Sequence, residues 1–115
     1  MTTLAALETL IAQGESETLE LKRSTAELKR AGETLCAFLN GEGGQVLVGV
    51  GPKGRLVGQH VADNTLRDVA ATPGKIEPAA CFELDRVAPA NGIEVIVFAA
   101  PSSWAFVPFV YEDRP

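Results

Sequence analysis

Apolar residues recur at Leu4, Leu7, Leu10 and Ile11, the spacing of one helix face, so the chain is predicted to open with a short amphipathic helix from Thr3 to Gln13 that Gly14 ends. Between Thr18 and Lys22 the period drops to two. Leu19 and Leu21 fall on one side and Thr18, Glu20 and Lys22 on the other, which predicts a strand that packs with one face and presents charge with the other. Ser24-Thr25-Ala26-Glu27 then reads as a capping box, with Ser24 accepting from the Glu27 amide and Glu27 reaching back. The second helix it opens carries Leu28, Ala31, Leu35, Phe38 and Leu39 as one stripe, with Cys36 beside it, and Asn40-Gly41 closes it. Gly32 inside this helix costs about 1 kcal/mol against Ala, so a close helix-to-sheet contact is expected there.

Gly43-Gly44 leads into Gln45-Val46-Leu47-Val48-Gly49-Val50, a continuous apolar run of the kind buried on both faces and therefore the expected central strand. Gly51-Pro52-Lys53-Gly54 is a turn, predicted to return through Arg55-Leu56-Val57-Gly58 as the partner strand of a hairpin. Asp63 or Asn64 is expected to cap a third helix from Thr65 to Ala71, ended by Thr72-Pro73-Gly74. Strands follow at Ala80 to Val87 and Ile93 to Phe98, and the Asn91-Gly92 pair between them signals a hairpin. The last segment, from Trp104 to Pro115, has the apolar residues of a strand belonging to the core or to a contact surface. This order predicts an α+β fold, a mostly antiparallel sheet with two or three helices packed on it.

A chain of 115 residues with 46% hydrophobic content is expected to form one domain over 1–115. Its net charge of -5 excludes a protein that coats nucleic acid by bulk electrostatics, so any such contact must be local. A local cluster exists. Lys22, Arg23, Lys29 and Arg30 lie close together in sequence, and Lys53 and Arg55 follow in the turn; mixed with Glu27 and Glu33 they also read as ordinary solvated charge. Cys36 and Cys81 sit apart in apolar surroundings, as reduced core thiols do. Without a basic, apolar leader or a run of transmembrane length, the chain is expected to be cytoplasmic, with no membrane contact.

Glu15 lies just ahead of the strand that carries Glu20, close enough to fold back and form a paired-carboxylate site; a wet edge strand accounts for the same residues. Other motifs carry less. Gly49-Val50-Gly51-Pro52-Lys53-Gly54 matches GxGxxG in letters, yet no helix follows to aim its amides at a pyrophosphate. Gly41-Glu42-Gly43-Gly44 lacks the lysine of a phosphate loop. His60 is the only histidine, too few for a zinc site with two distant cysteines. Ser102-Ser103 has no base beside it, and Trp104 and Tyr111 suit packing better than base stacking.

Four blocks in order, Glu15-Ser-Glu-Thr-Leu-Glu-Leu-Lys22, Leu35-Cys-Ala-Phe-Leu-Asn40, Gly43-Gly-Gln-Val-Leu-Val-Gly-Val50 and Gly54-Arg-Leu-Val-Gly58, resemble the Schlafen-type AlbA-2 domain. The ending from Pro108 to Pro115 is similar to that domain's last strands. The resemblance implies a nucleic-acid-binding module of bacterial transcriptional regulators, usually the N-terminal part of a longer protein with a helicase-like or winged-helix remainder. It also implies an alternative, since a related domain of animal Schlafen proteins is a ribonuclease with a Glu-x4-Glu pair, a nearby Lys and an Asp after the Gly-Val strand.

Glu15 and Glu20 match the pair and Lys22 the lysine, as catalytic residues with Glu15 and Glu20 as ligands of Mg²⁺ or Mn²⁺. Where the third carboxylate belongs, this sequence has Gly51, Pro52 and Lys53. Two carboxylates hold a hard cation weakly, and only Asp63, if the loop turned back, offers a substitute.

The expected function is therefore nucleic-acid binding, DNA or RNA, through Lys22, Arg23, Lys29, Arg30, Lys53 and Arg55, without a cofactor. The alternatives are the metal-dependent endoribonuclease, and a self-association module that forms a homodimer through the C-terminal strand.

Overall fold

The computed structural model of the chain describes residues 2–78, 82–101 and 108–112. Thr3 starts helix α1 (Leu4–Gln13), its hydroxyl accepting from the Ala6 amide at 3.1 Å, and Gly14 stops it. Strand β1 (Leu19–Lys22) follows, then a 3-10 turn (Thr25–Glu27) that runs into helix α2 (Leu28–Leu39) and strand β2 (Gly44–Val48). Helix α3 (Asp63–Ala71), the short β3 (Ile76–Glu77), the hairpin β4 (Glu83–Ala90) and β5 (Ile93–Ala100), and β6 (Val110–Tyr111) complete the order.

The main sheet has the order β1-β2-β5-β4. Its β2–β5 and β5–β4 ladders are antiparallel, whereas β1 and β2 run parallel, as two strands joined by a helical crossover must. The α+β class therefore stands, with a mixed sheet whose antiparallel ladders predominate. One sheet face, with Val46, Val48, Ile96 and Phe98, is covered by α2, Val69 of α3 and the β3–β6 pair. The other, with Leu47, Val95 and Val97, receives Leu7 of α1 together with Leu19 and Val87. Because β2 and β5 are buried on both faces, they read as unbroken apolar runs.

Several expectations change. Arg55–Gly58 is not a strand of the sheet: Gly49 turns the chain at φ 114°, a conformation that favours glycine, and within Arg55–Gly58 only Leu56 forms a bridge, to Val50. The neighbours of β2 are β1 and β5, and Leu56 stays 38% exposed. Ser24 accepts from the Ala26 amide and Glu27 from the Arg23 amide at 3.0 Å, so the capping box is displaced and the first helical turn tightens to 3-10. Ala62, not Asp63 or Asn64, caps α3, because the Thr65 hydroxyl reaches back to the Ala62 amide at 3.2 Å. Leu4 stands at the first turn of α1, 38% exposed, away from the packed stripe.

Gly32 is explained by a close approach, made by the ring of Tyr111 in β6: a Cβ at this position would overlap the ring. Beside it the Asn40 side chain pairs with the Phe109 backbone as a strand would, donating to its carbonyl at 3.0 Å and accepting from its amide at 2.7 Å. Phe109 and Tyr111 are thereby buried within their own chain, which takes these two residues out of any contact surface and Tyr111 out of base stacking, while 104–107 and 113–115 of the segment assigned to self-association lie outside the described residues. Cys36 lies in the α2-side core, and burial raises its thiol pKa. Cys81, Ser102, Ser103 and Trp104 lie outside the described residues.

Candidate functional site

Glu20 and Lys22 are register partners of Val46 and Val48, so they continue the α2-side row past the edge of the apolar core. At this edge the hydrophobic alternation of β1 turns a charge pair toward the helix instead of toward open water. The Lys22 ammonium lies 3.3 Å from Glu20 Oε1, with side-chain exposures of 13% and 29%. Glu15 folds back as expected, and its Oε2 accepts from the Leu21 amide at 3.3 Å, satisfying a donor that the free edge of β1 would leave open. Glu15, Glu20, Leu21, Arg23, Glu27 and Val50 together line a cleft of about 300 Å³.

The pKa of Glu20 is raised, first by burial and then by the Glu15 carboxyl within hydrogen-bonding reach, while Lys22 pulls it the other way. Glu27, read from the sequence only as a capping residue, is the third carboxylate of this cleft. Its position three residues after Ser24 was visible; its orientation toward Glu20's neighbourhood followed from the shift of its hydrogen bond to Arg23. The set fits a divalent cation poorly. One oxygen each of Glu15, Glu20 and Glu27 is bonded, to the Leu21 amide, Lys22 and the Arg23 amide, and among the described residues no three Asp, Glu, His or Cys side chains form a metal-binding group. Asp63 starts α3 and is not a lining residue of the cleft.

The cations separate into two kinds. Lys22 is held by Glu20, so a phosphate approaching it competes with a carboxylate already in place. Arg23, Lys29, Arg30, Lys53 and Arg55 are exposed and make no ion pair among the described residues. Two sets of bonds bring their segments together. The Lys22 carbonyl accepts from the Gly49 and Val50 amides at 2.8 and 3.0 Å, where the turn bearing Lys53 and Arg55 begins. The Gln59 carboxamide meets Thr25 where that loop ends. Lys53 itself adopts φ 68°, unusual for a residue with a side chain, and the 3-10 turn Pro52–Gly54 passes into extended chain at Arg55, so the GxGxxG letters precede no helix. His60 is exposed.

An α+β domain with a parallel β1–α2–β2 crossover, an edge cleft of carboxylates and, on the start of α2 and the 49–59 loop, cations without an ion pair among the described residues is the class these observations define. The chain belongs to the Schlafen AlbA_2 family, whose model matches residues 15–114. Among solved structures it is similar to the N-terminal domain of an ATP-dependent DNA helicase RecG-related protein from Nitrosomonas europaea, with 26% identity and a TM-score of 0.64 over 84% of this chain and 73% of that one. It also shares its fold with the DIP2311 protein from Corynebacterium diphtheriae, at 17% identity and a TM-score of 0.58, over 95% of this chain and 23% of that one. No curated protein matches the chain. Among the described residues no helix is long and apolar enough to cross a membrane.

Proposed function

We propose that this chain is a nucleic-acid-binding domain of the transcriptional-regulator type, which grips the phosphate backbone through Arg23, Lys29, Arg30, Lys53 and Arg55, with Lys22 at the margin. The observation that carries the reading is the double attachment of the 49–59 loop to residues 22–25, which ties the segments that bear two groups of cations to one backbone frame while leaving those cations exposed and, among the described residues, without an ion pair. The family and the likeness to a helicase RecG-related N-terminal domain support the same direction. A chain of net charge -5 repels a polyanion at long range, so affinity has to come from this patch. The metal-dependent ribonuclease reading has the proximity of Glu15, Glu20 and Lys22 and the family in its favour, but one oxygen of Glu15 and one of Glu20 are already bonded to the Leu21 amide and to Lys22.

The test is fluorescence anisotropy on labelled duplexes of unrelated sequence across a salt series. Binding is expected to weaken with salt, and the Lys29→Glu, Arg30→Glu double variant to weaken it at every sequence and reduce the log–log slope by about 2, close to one per phosphate contact removed. Binding indifferent to both salt and charge reversal would overturn the proposal.

A further inference from the structure

Gln59 is an uncharged loop residue that no motif singles out, yet it joins three parts of the molecule. Its backbone is bonded to Glu94 of β5 in both directions, at 2.9 and 2.8 Å. Its side chain spans to Thr25, thirty-four positions earlier in the chain: Oε1 accepts from the Thr25 amide at 2.8 Å, and Nε2 donates to the Thr25 hydroxyl at 3.2 Å. Nε2 also lies 3.4 Å from the His60 carbonyl. Thr25 opens the 3-10 turn from which α2, with Lys29 and Arg30, continues directly.

A carboxamide suits this place because one end accepts and the other donates, so it answers a backbone N–H and a hydroxyl at once. With the Lys22 carbonyl fixing the start of the loop, Gln59 fixes its end, and the end is anchored in the sheet. The cations of 23–30 and of 53–55 therefore belong to one frame.

We infer that Gln59 is a positioning residue of the interface: it makes the two cation groups act as a single preorganised array without itself touching the ligand. The inference rests on the nucleic-acid reading above. Its physical content is that a polyanion long enough to meet both groups engages the second at little further ordering cost while the brace holds, and pays that cost when it is gone. A ligand that meets only one group does not sense the brace.

The experiment compares wild type, Gln59→Ala and the milder Thr25→Val on a nested series of duplexes of increasing length at one salt concentration, with circular dichroism confirming that each variant is folded. Gln59→Ala is expected to bind the shortest duplex within about twofold of wild type and the longest about five- to tenfold more weakly, the lost share being the preorganised second contact. Thr25→Val, which removes one of the two side-chain bonds, should fall between. If Gln59→Ala unfolds, the same graded length dependence is read from Thr25→Val. A loss equal at every length, or no loss at any, would overturn the inference while leaving the nucleic-acid reading intact. Wild type that binds no duplex of any length would overturn the nucleic-acid reading and this inference with it.

Discussion

The two edge strands of the sheet carry similar charge pairs in different settings. On β1, Lys22 approaches Glu20 at 3.3 Å from two positions along the same strand, and Glu15 folds over the edge to take the Leu21 amide. On the opposite edge, Arg86 of β4 grips Glu94 of β5 with two hydrogen bonds, at 2.8 and 2.9 Å. By hydrogen-bond geometry the β4 pair is the better one. For the cations burial reverses the order, since Lys22 is 13% exposed and Arg86 46%, whereas the carboxylates are alike, Glu20 at 29% and Glu94 at 21%. A charge pair contributes according to what its members would face alone, and without Lys22 the partly buried Glu20 would face the Glu15 carboxyl with no counter-charge.

The largest effect that could break this contrast comes from Lys22→Ala. It leaves Glu20 beside Glu15 with no counter-charge, and at neutral pH it should cost about 1–3 kcal/mol in urea unfolding, the range for losing a charged hydrogen bond at a partly buried site. Adding Glu20→Gln to it should recover most of the loss. A cost for Lys22→Ala no greater than that of Arg86→Ala would mean that neither the burial of the cation nor the Glu15 charge sets the difference between the edges.

A smaller effect sharpens the comparison through pH. Because the folded state raises the pKa of Glu20 above its ordinary value of 4.5, it holds the proton more firmly than the unfolded chain does. The favourable contribution of protonated Glu20 is complete below the unfolded value and is lost as pH rises through the higher folded one. Carboxyl-carbon NMR titration should place the Glu20 midpoint above 4.5; Glu15→Gln should lower it and Lys22→Ala raise it further. A wild-type midpoint at or below 4.5 would show that Lys22 outweighs burial and Glu15, and a midpoint that Glu15→Gln leaves unmoved would show that the cleft does not bring Glu15 and Glu20 together in solution.

Much of this region was legible from the chain because its signals are local. Period-two alternation over Leu19–Lys22 placed Glu20 and Lys22 on one face, and the proximity of Glu15 in sequence was enough to suggest its return. The apolar run of β2 and the Asn91-Gly92 turn were equally plain. What stayed hidden depends on partners far along the chain. Nothing in Gly44–Val48 names β5 as its neighbour, and nothing local makes the β1–β2 ladder parallel; that follows from the crossover through α2. Arg55–Gly58 has a strand's composition but follows a kink at Gly49, and of its residues only Leu56 forms a bridge. Gly32 announced a close contact without naming Tyr111, and Gln59, neutral and in a loop, gave no signal because its importance lies in Thr25 and Glu94. The cleft role of Glu27 was missed for a related reason: its hydrogen bond moved by one residue, from the Ser24 amide to that of Arg23.

The smallest effect belongs to the other edge. Arg86→Ala breaks two well-formed hydrogen bonds, yet the arginine itself is 46% exposed, and the cost should stay below about 1 kcal/mol. A double-mutant cycle with Glu94→Ala isolates the pair from the packing of the arginine stem, and the backbone bonds of Glu94 to Gln59 survive either change. The coupling should shrink further between low and high salt, as an exposed pair's does and a half-buried pair's does not. Arg86 is also committed to Glu94, in contrast with Lys29 and Arg30, so its removal should leave duplex affinity unchanged. A coupling as large as that between Lys22 and Glu20 would sink the argument that exposure separates the two edges, and a loss of duplex binding would extend the interface across the sheet to a cation that is already paired.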